Sequence, residues 1–167
     1  MIFYFSGTGN SAAVAQITAK ELGDTAIDII GKQAEDYDLS QEDYLGFVFP
    51  VYAWAAPEVM LRFAEGIGHT DAYVFAIATF SNVAGMAVEQ FSEIVPLKSG
   101  FGIVMPDNYP VTDHIIDTKE SSMRKLGEAK VRLAEVIARI RNRDEVFDVK
   151  RGENARENTY VKAPVFN

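Results

Sequence analysis

The chain has 167 residues, 48% of them hydrophobic and 24% charged, with a formal net charge of −8 at pH 7. This length predicts a single domain that buries roughly 70% of the surface exposed by its unfolded chain. The absence of cysteine excludes disulfides, thiolate metal sites and thiol catalysis, while the acidic balance argues against binding to nucleic acid or anionic membranes.

Short apolar runs alternate with helical patterns along the whole chain. In chain order they predict a strand at 1–5, a helix at 10–22, strands at 25–30 and 44–49, a helix at 57–67, a strand at 72–78, a helix at 82–95, a strand at 100–105 and a helix at 119–142. No apolar run has the length of a membrane span, and no basic leader precedes the first strand. We therefore expect a cytoplasmic protein.

Local signals mark several helix ends. Gly23 is a stop signal for the first helix, and Pro57 stands at a first-turn position of the second. Asp117 and Glu120 resemble a capping box for the last helix. That helix carries an apolar stripe, which consists of Met123, Leu126, Leu133, Ile137 and Ile140.

Five strands that are apolar throughout and separated by helices predict an α/β domain, with a doubly wound parallel sheet and helices on both faces. We assign this domain to residues 1–142. Residues 143–167 form a polar arm or linker, and two interpretations stay open for its end, "YVKAPVFN". It either docks Tyr160, Val165 and Phe166 on the body or continues into a linker.

Ligands of open parallel sheets bind outside the carboxyl ends of the strands. Four of the predicted strands end there in loops whose polar or aromatic residues are poorly suited to a core. These loops are "SGTGNS" (6–11), "PVYAWAAP" (50–57), "TFSN" (79–82) and "PDNYP" (106–110). Their convergence on one edge predicts a binding site.

The first of these loops has the composition of a phosphate cradle at a helix N-terminus. Backbone N–H groups and the helix dipole attract an anion without a nearby cation, and the first cation of the chain is Lys20. A P-loop is excluded because its lysine is missing. The match of Gly7, Gly9 and Ala12 to G-x-G-x-x-[GA] is weak. The plainer alternative is a turn with Asn10 as its N-cap.

Two aromatic residues follow the third strand inside a segment bounded by prolines. Tyr52 and Trp54 could sandwich a flat, amphipathic ring system, or they could simply cover the core. Beside a phosphate loop, the first alternative is favoured.

The motifs "IFYFSGTGNS", "FPVYAWAAP" and "MPDNY" together resemble those of the flavodoxin family, and more narrowly the flavodoxin-like part of proteins that also carry a ferredoxin module. The resemblance spans residues 1–142. It implies strand order 2-1-3-4-5 and one non-covalently bound FMN. The ferredoxin cysteines are absent.

The resemblance also implies which residues contact FMN. Those implied for the phosphate are Ser6, Thr8, Gly9, Asn10 and Ser11. Those implied for the isoalloxazine ring are Pro50, Val51, Tyr52 and Trp54 on one side, Thr79, Phe80, Ser81 and Asn82 on the other, with Asn108 and Tyr109 in the loop after the fifth strand.

The function that this resemblance implies is electron transfer between redox proteins. The charge of −8 suits partners with a basic face, and we expect a monomer or weak dimer. A negatively charged, reduced flavin is disfavoured in a protein of charge −8, which predicts a low potential. Two alternatives stay open. One is an FMN-dependent NAD(P)H:quinone-type reductase, and the other is a binding module without turnover.

Overall fold

The computed structural model describes residues 1–107 and 117–165. Its strands are β1 (Ile2–Tyr4), β2 (Ala26–Asp28), β3 (Tyr44–Pro50), β4 (Tyr73–Phe80), β5 (Ser99–Val104) and β6 (Phe147–Asp148). Its helices are α1 (Asn10–Leu22), α2 (Glu58–Glu65), α3 (Ala87–Ser92), α4 (Lys119–Arg141) and a short α5 (Ala155–Glu157), which runs on into helical turns over Asn158–Lys162 and Ala163–Val165.

The strands form one sheet in the order β2-β1-β3-β4-β5-β6, and every neighbouring pair is parallel. The predicted class and the order of the first five strands are therefore confirmed. The predicted count of five is wrong by one edge strand, β6. This strand has only two residues in a polar stretch, which is too short to produce a strand-like pattern.

Alternate side chains of the strands point to opposite faces of the sheet and pack in two apolar cores, one on each face. On one face, α1 and α4 bury Val14, Ala15, Leu133, Ile137 and Ile140 against the sheet. On the other face, α2 and α3 bury Met60, Phe63, Val88 and Phe91, and the Phe91 ring lies 4.9 Å from that of Phe47. Helices thus cover both faces, as the continuous apolar strands predict.

The chain passes from one face to the other at β6. Val146 packs with the core under α1 and α4, whereas Phe147 and Val149 pack with the core under α2 and α3. Since α4 lies on the opposite face from α2, the β5-α4-β6 crossover has the opposite hand to β3-α2-β4, an uncommon arrangement. The consequence is that the arm reaches the loops next to α3.

We call residues 143–165 the C-terminal arm. Its Thr159 and Ala163 are buried, and the Tyr160 hydroxyl donates to Glu93. Burial, the main cause, and this hydrogen bond, the second cause, raise the pKa of Tyr160 to about 12. Val165 is exposed, and Phe166 lies outside the described residues.

Helix α1 occupies the predicted residues and ends at Gly23, whose φ of 71° only glycine adopts readily. Pro57 is the N-cap residue of α2 rather than part of its first turn. The N-cap of α4 is Thr118, which accepts the Ser121 N–H, so the predicted Asp117–Glu120 capping box is wrong. The threonine side chain takes the donor because it stands at the helix boundary itself.

Two members of the predicted α4 stripe, Met123 and Leu126, are exposed, whereas Leu133, Ile137 and Ile140 are buried. The predicted helical period is correct, but tertiary packing determines which turns of the stripe are buried. Likewise, α3 is shorter than predicted. Residues predicted for its first turns are not helical. Among them, Ala84 and Gly85 donate their backbone N–H groups to carbonyls of the arm.

Among the helices of the described residues, none combines the length and apolar character needed to cross a membrane.

We predict that Gly46→Ala destabilises the fold by about 1–3 kcal/mol through overpacking. Gly46 lies in the centre of β3, where an added Cβ would come within 2.5 Å of the Phe75 ring and 2.7 Å of Ile2 Cδ1, both fully buried. Chemical denaturation measures the loss. The control is Gly127→Ala, on an exposed turn of α4 where a Cβ meets nothing within 4 Å. This variant should gain about 0.5–1 kcal/mol, and an equal loss in both would contradict the packing.

Candidate functional site

The carboxyl ends of β1, β3, β4 and β5 lie along one edge of the parallel sheet. The chain goes from β1 to β2 on one side of it, and then crosses to β3 on the other side. From β3 onward each new strand is added in that second direction. The two loops that leave β1 and β3 therefore part to opposite faces and open a crevice between them, the usual ligand position in such sheets.

The loop after β1 leads directly into the N-terminus of α1. Gly9 is its N-cap with φ of 102°, no side chain caps the helix, and no acidic residue stands in the first turn. Gly7, Thr8 and Gly9 are exposed. The Gly9 N–H donates to Ser6 Oγ at 3.0 Å, which closes the loop on itself. Uncapped N–H groups at the positive end of a helix dipole fit a phosphate-sized anion.

The first residues of α1 also tie this loop to two other strands. The Ser11 hydroxyl is hydrogen bonded to the Thr79 hydroxyl at 2.8 Å, and both residues are buried. Asn10 donates from its side-chain amide to the carbonyl of Pro106 at 3.1 Å. Asn10 is therefore not the N-cap of the plainer alternative. Its side chain joins α1 to the loop after β5.

The loop after β3 is a tight reverse turn. Tyr52 and Ala55 exchange both backbone hydrogen bonds, at 3.0 and 2.9 Å. The central residues Ala53 and Trp54 have φ values of 44° and 65°, as in a type I′ turn, although neither is glycine. Left-handed non-glycine residues are unfavourable and concentrate at functional sites.

Tyr52 brings this turn against the phosphate-type loop. A Cβ atom on Gly7 would lie 2.5 Å from the Tyr52 hydroxyl oxygen, so the tyrosine side chain lies directly against this loop. The Tyr52 ring also makes an edge contact with Phe5, with centroids 6.3 Å apart. It is 43% exposed, and partial burial raises the pKa of its hydroxyl. An exposed aromatic face thus borders the anion loop.

Three predicted loop residues lie in strands instead. Pro50 is the last residue of β3, and Thr79 and Phe80 end β4, where both are buried. Both strands extend one or two residues further than their apolar runs, because backbone pairing continues from Pro50 to Thr79 and from Phe80 to Val104. Thr79 and Phe80 therefore support the edge from beneath rather than forming a loop over it.

The remaining predicted residues lie around the edge. Val51 is half-buried and donates its N–H to Thr79, Ser81 is half-buried, and Asn82 is exposed. Asn108 and Tyr109 lie outside the described residues. Contact of any of these residues with a flavin stays a prediction.

The loop after β4, residues 81–86, is held by the C-terminal arm. Ala84 and Gly85 donate N–H groups to the Lys150 and Arg151 carbonyls at 2.9 and 3.1 Å. Met86 N–H donates to the Thr159 hydroxyl at 2.8 Å. Sequence reasoning missed this role of the arm, because nothing in a polar segment some 70 residues away indicates it.

The carboxylate of Asp117 links residue 107, which follows β5, to the first turns of α4. This carboxylate accepts hydrogen bonds from Lys125 Nζ (2.6 Å), Ser121 Oγ (2.7 Å) and the Asp107 N–H (2.7 Å). These three donors, the lysine foremost, lower the pKa of Asp117 to about 2. The charge of Asp117 therefore joins the end of β5 to the start of α4.

No group of three or more His, Asp or Glu side chains is placed to hold a metal ion within residues 1–107 and 117–165. The described edge instead offers uncapped helix N–H groups, hydroxyls and aromatic rings. That combination suits an anion attached to a flat ring system.

No family model matches the sequence, and no curated protein matches it. Solved structures of similar fold include two flavodoxins. A flavodoxin of Streptococcus pneumoniae TIGR4 has 17% identity and a TM-score of 0.51, with 81% of this chain and 97% of that one covered. A flavodoxin of Fusobacterium nucleatum, bound to flavin mononucleotide, has 16% identity and a TM-score of 0.55, with 84% and 95% covered.

The chain therefore has a flavodoxin-like fold, which confirms the predicted resemblance to flavodoxins. The narrower likeness to proteins that also carry a ferredoxin module stays a prediction. At these identities the likeness establishes the fold alone.

We predict that Asp117→Asn lowers stability at pH 7 and that this loss shrinks as the pH falls from about 4 to 2. The folded pKa lies below the unfolded value of 3.8, so the ionised carboxylate stabilises the fold above the unfolded pKa. That contribution disappears once both states are protonated. Urea unfolding of both proteins at pH 7, 4 and 2.5 measures the difference. Asp71→Asn, at an exposed carboxylate, is the control, and a pH-independent loss at Asp117 would contradict the assignment.

Proposed function

We propose that the protein binds one FMN non-covalently at the carboxyl edge of the sheet and transfers electrons between redox proteins. The observation that carries this proposal is the uncapped N-terminus of α1, which lies at the β1/β3 crevice beside Tyr52. The FMN-bound flavodoxin of the same fold supports it.

The residues of the first loop fit a phosphate in chemistry and in shape. Thr8 presents an exposed hydroxyl, Gly9 turns the chain with a positive φ, and no carboxylate stands in the first turn to repel an anion. Helix N–H groups supply the positive end. The Ser11 hydroxyl is already bonded to Thr79, so Ser11 contributes its backbone rather than its side chain.

The turn after β3 and the loop at 81–86 form the two sides proposed for the isoalloxazine ring. Tyr52 and Trp54 supply aromatic surface on one side, and Ser81 and Asn82 supply polar groups on the other. Bound FMN supplies the electron-transfer chemistry, and the protein binds, orients and desolvates it.

The charge of the protein favours a carrier. At −8, it attracts a redox partner with a basic face, and salt screens that attraction. A cytoplasmic location belongs to the same proposal.

We predict that Thr8→Ala weakens FMN binding by roughly 10- to 150-fold, the cost of a lost hydrogen bond to a charged group. Riboflavin, which lacks the phosphate, should bind both proteins with similar affinity. Quenching of flavin fluorescence measures the two dissociation constants. Equal losses for FMN and riboflavin would contradict a phosphate at this loop, and failure of the unaltered protein to bind FMN would overturn the proposed function.

We expect the FMN of the anaerobic protein to stay oxidised when NADH or NADPH is added, because a carrier receives electrons from a partner protein. Absorbance at the flavin band follows the reaction, and dithionite reduction is the positive control. Rapid bleaching by NAD(P)H would instead identify a reductase. Absence of reduction by any redox protein would favour a binding module without turnover.

A further inference from the structure

We propose that Thr159, in the C-terminal arm, is a positioning residue of the flavin site. Its hydroxyl joins the turn after β3 to the loop after β4 and thereby holds the two sides of the ring site at a fixed separation. This inference rests on the proposed binding of FMN. It adds to the site a residue that lies outside the four loops.

Thr159 is completely buried, and its hydroxyl makes one hydrogen bond to each loop. It donates to the carbonyl of Trp54 at 2.7 Å and accepts the N–H of Met86 at 2.8 Å. A hydroxyl has one proton to donate and lone pairs to accept, so both bonds form at once. Valine has the shape of threonine but makes neither bond.

The Trp54 carbonyl belongs to the central pair of the turn, where the backbone conformation is unfavourable. Ala53 and Trp54 both have positive φ, and such conformations persist only where the surroundings hold them. Thr159 supplies that hold from outside the turn. When its hydroxyl is removed, the turn keeps only its internal Tyr52–Ala55 hydrogen bonds, and we expect the Trp54 side chain to shift.

Gly85 shows how closely the three segments meet. A Cβ atom there would lie 2.6 Å from Thr159 Oγ1 and 2.7 Å from both Trp54 Cβ and the Trp54 carbonyl oxygen. Gly85 has φ of 61° as well. The loop at Gly85 is therefore packed directly against the Thr159 hydroxyl and against both the backbone and the Cβ of Trp54.

Other bonds keep the arm docked when the Thr159 hydroxyl is lost. Ala84 and Gly85 still donate to the carbonyls of Lys150 and Arg151, and Tyr160 still donates to Glu93. These bonds reach only the loop after β4 and α3. Loss of the hydroxyl therefore removes the partner of the Trp54 carbonyl and of the Met86 N–H, while the Ala56 N–H still donates to Gln90 of α3.

Thr18 offers a matched control within the same chain. It is also completely buried, and its hydroxyl donates to the Val14 carbonyl of its own helix at 2.8 Å. Thr18→Val removes a buried hydroxyl with the same change in shape, but it leaves the two loops untouched.

The experiment compares FMN affinity in the unaltered protein, Thr159→Val, Thr159→Ser and Thr18→Val, each measured well below its melting temperature. We expect about tenfold or greater loss in Thr159→Val, since both loop groups lose a buried partner. Thr159→Ser should restore most of the affinity, and Thr18→Val should bind FMN as the unaltered protein does. Thr159→Ala replaces the valine variant if that variant does not fold.

Emission of Trp54, the single tryptophan, reports the turn directly. Its maximum should shift in apo Thr159→Val and stay unchanged in Thr18→Val. Unaltered FMN affinity in folded Thr159→Val, or the same loss in Thr18→Val, would overturn the role of Thr159 alone. Failure of the unaltered protein to bind FMN would overturn the proposed function, and this inference with it.

Discussion

Parallel pairing obliges each strand of the sheet to start from the same end, so the chain must return along a face before the next strand begins. The carboxyl ends of β1, β3 and β4 are held in register by backbone pairing that extends as far as Pro50 with Thr79. Every loop that leaves this edge then lies within reach of its neighbours. The Ser11–Thr79 and Asn10–Pro106 hydrogen bonds follow from that proximity.

The site differs from a charge-based anion site in the source of its positive potential. Helix N–H groups are fixed by α1 itself, whereas a lysine or arginine must lose side-chain entropy when it binds. In the proposed site, the positive potential thus comes from the position of α1 on the fold rather than from formal charge.

Features encoded within a few residues could be predicted from the sequence. Gly23 ends α1 because its own backbone adopts a left-handed conformation, and the glycine-rich loop indicated an anion site before any packing was known. Features that depend on distant partners could not be predicted. The ends of β3 and β4 were set by their pairing, and the exposure of Met123 and Leu126 by the extent of packing on α4.

The candidate site also has a part that local sequence predicts and a part that depends on distant partners. The composition of a single loop predicts a role in anion binding for Ser6, Thr8 and Gly9. Thr159 has no such signal, because its importance lies in the Trp54 carbonyl and the Met86 N–H, which are common to all residues. A single threonine in a polar segment is indistinguishable from a surface residue until the fold brings the three segments together.

The distance along the chain between Trp54 and Thr159, 105 residues, has a consequence for the order in which the protein is made. A ribosome exposes β1, α1 and the turn after β3 well before the arm has been translated. The sheet core can then pair while Ala53 and Trp54 still lack the contact that holds them. On this view the anion loop matures early, and the aromatic side of the crevice takes its final geometry only when the last helical turns dock. The arm, which also carries β6, thus reaches both the sheet edge and the Trp54 turn only after β1 and α1 have been made.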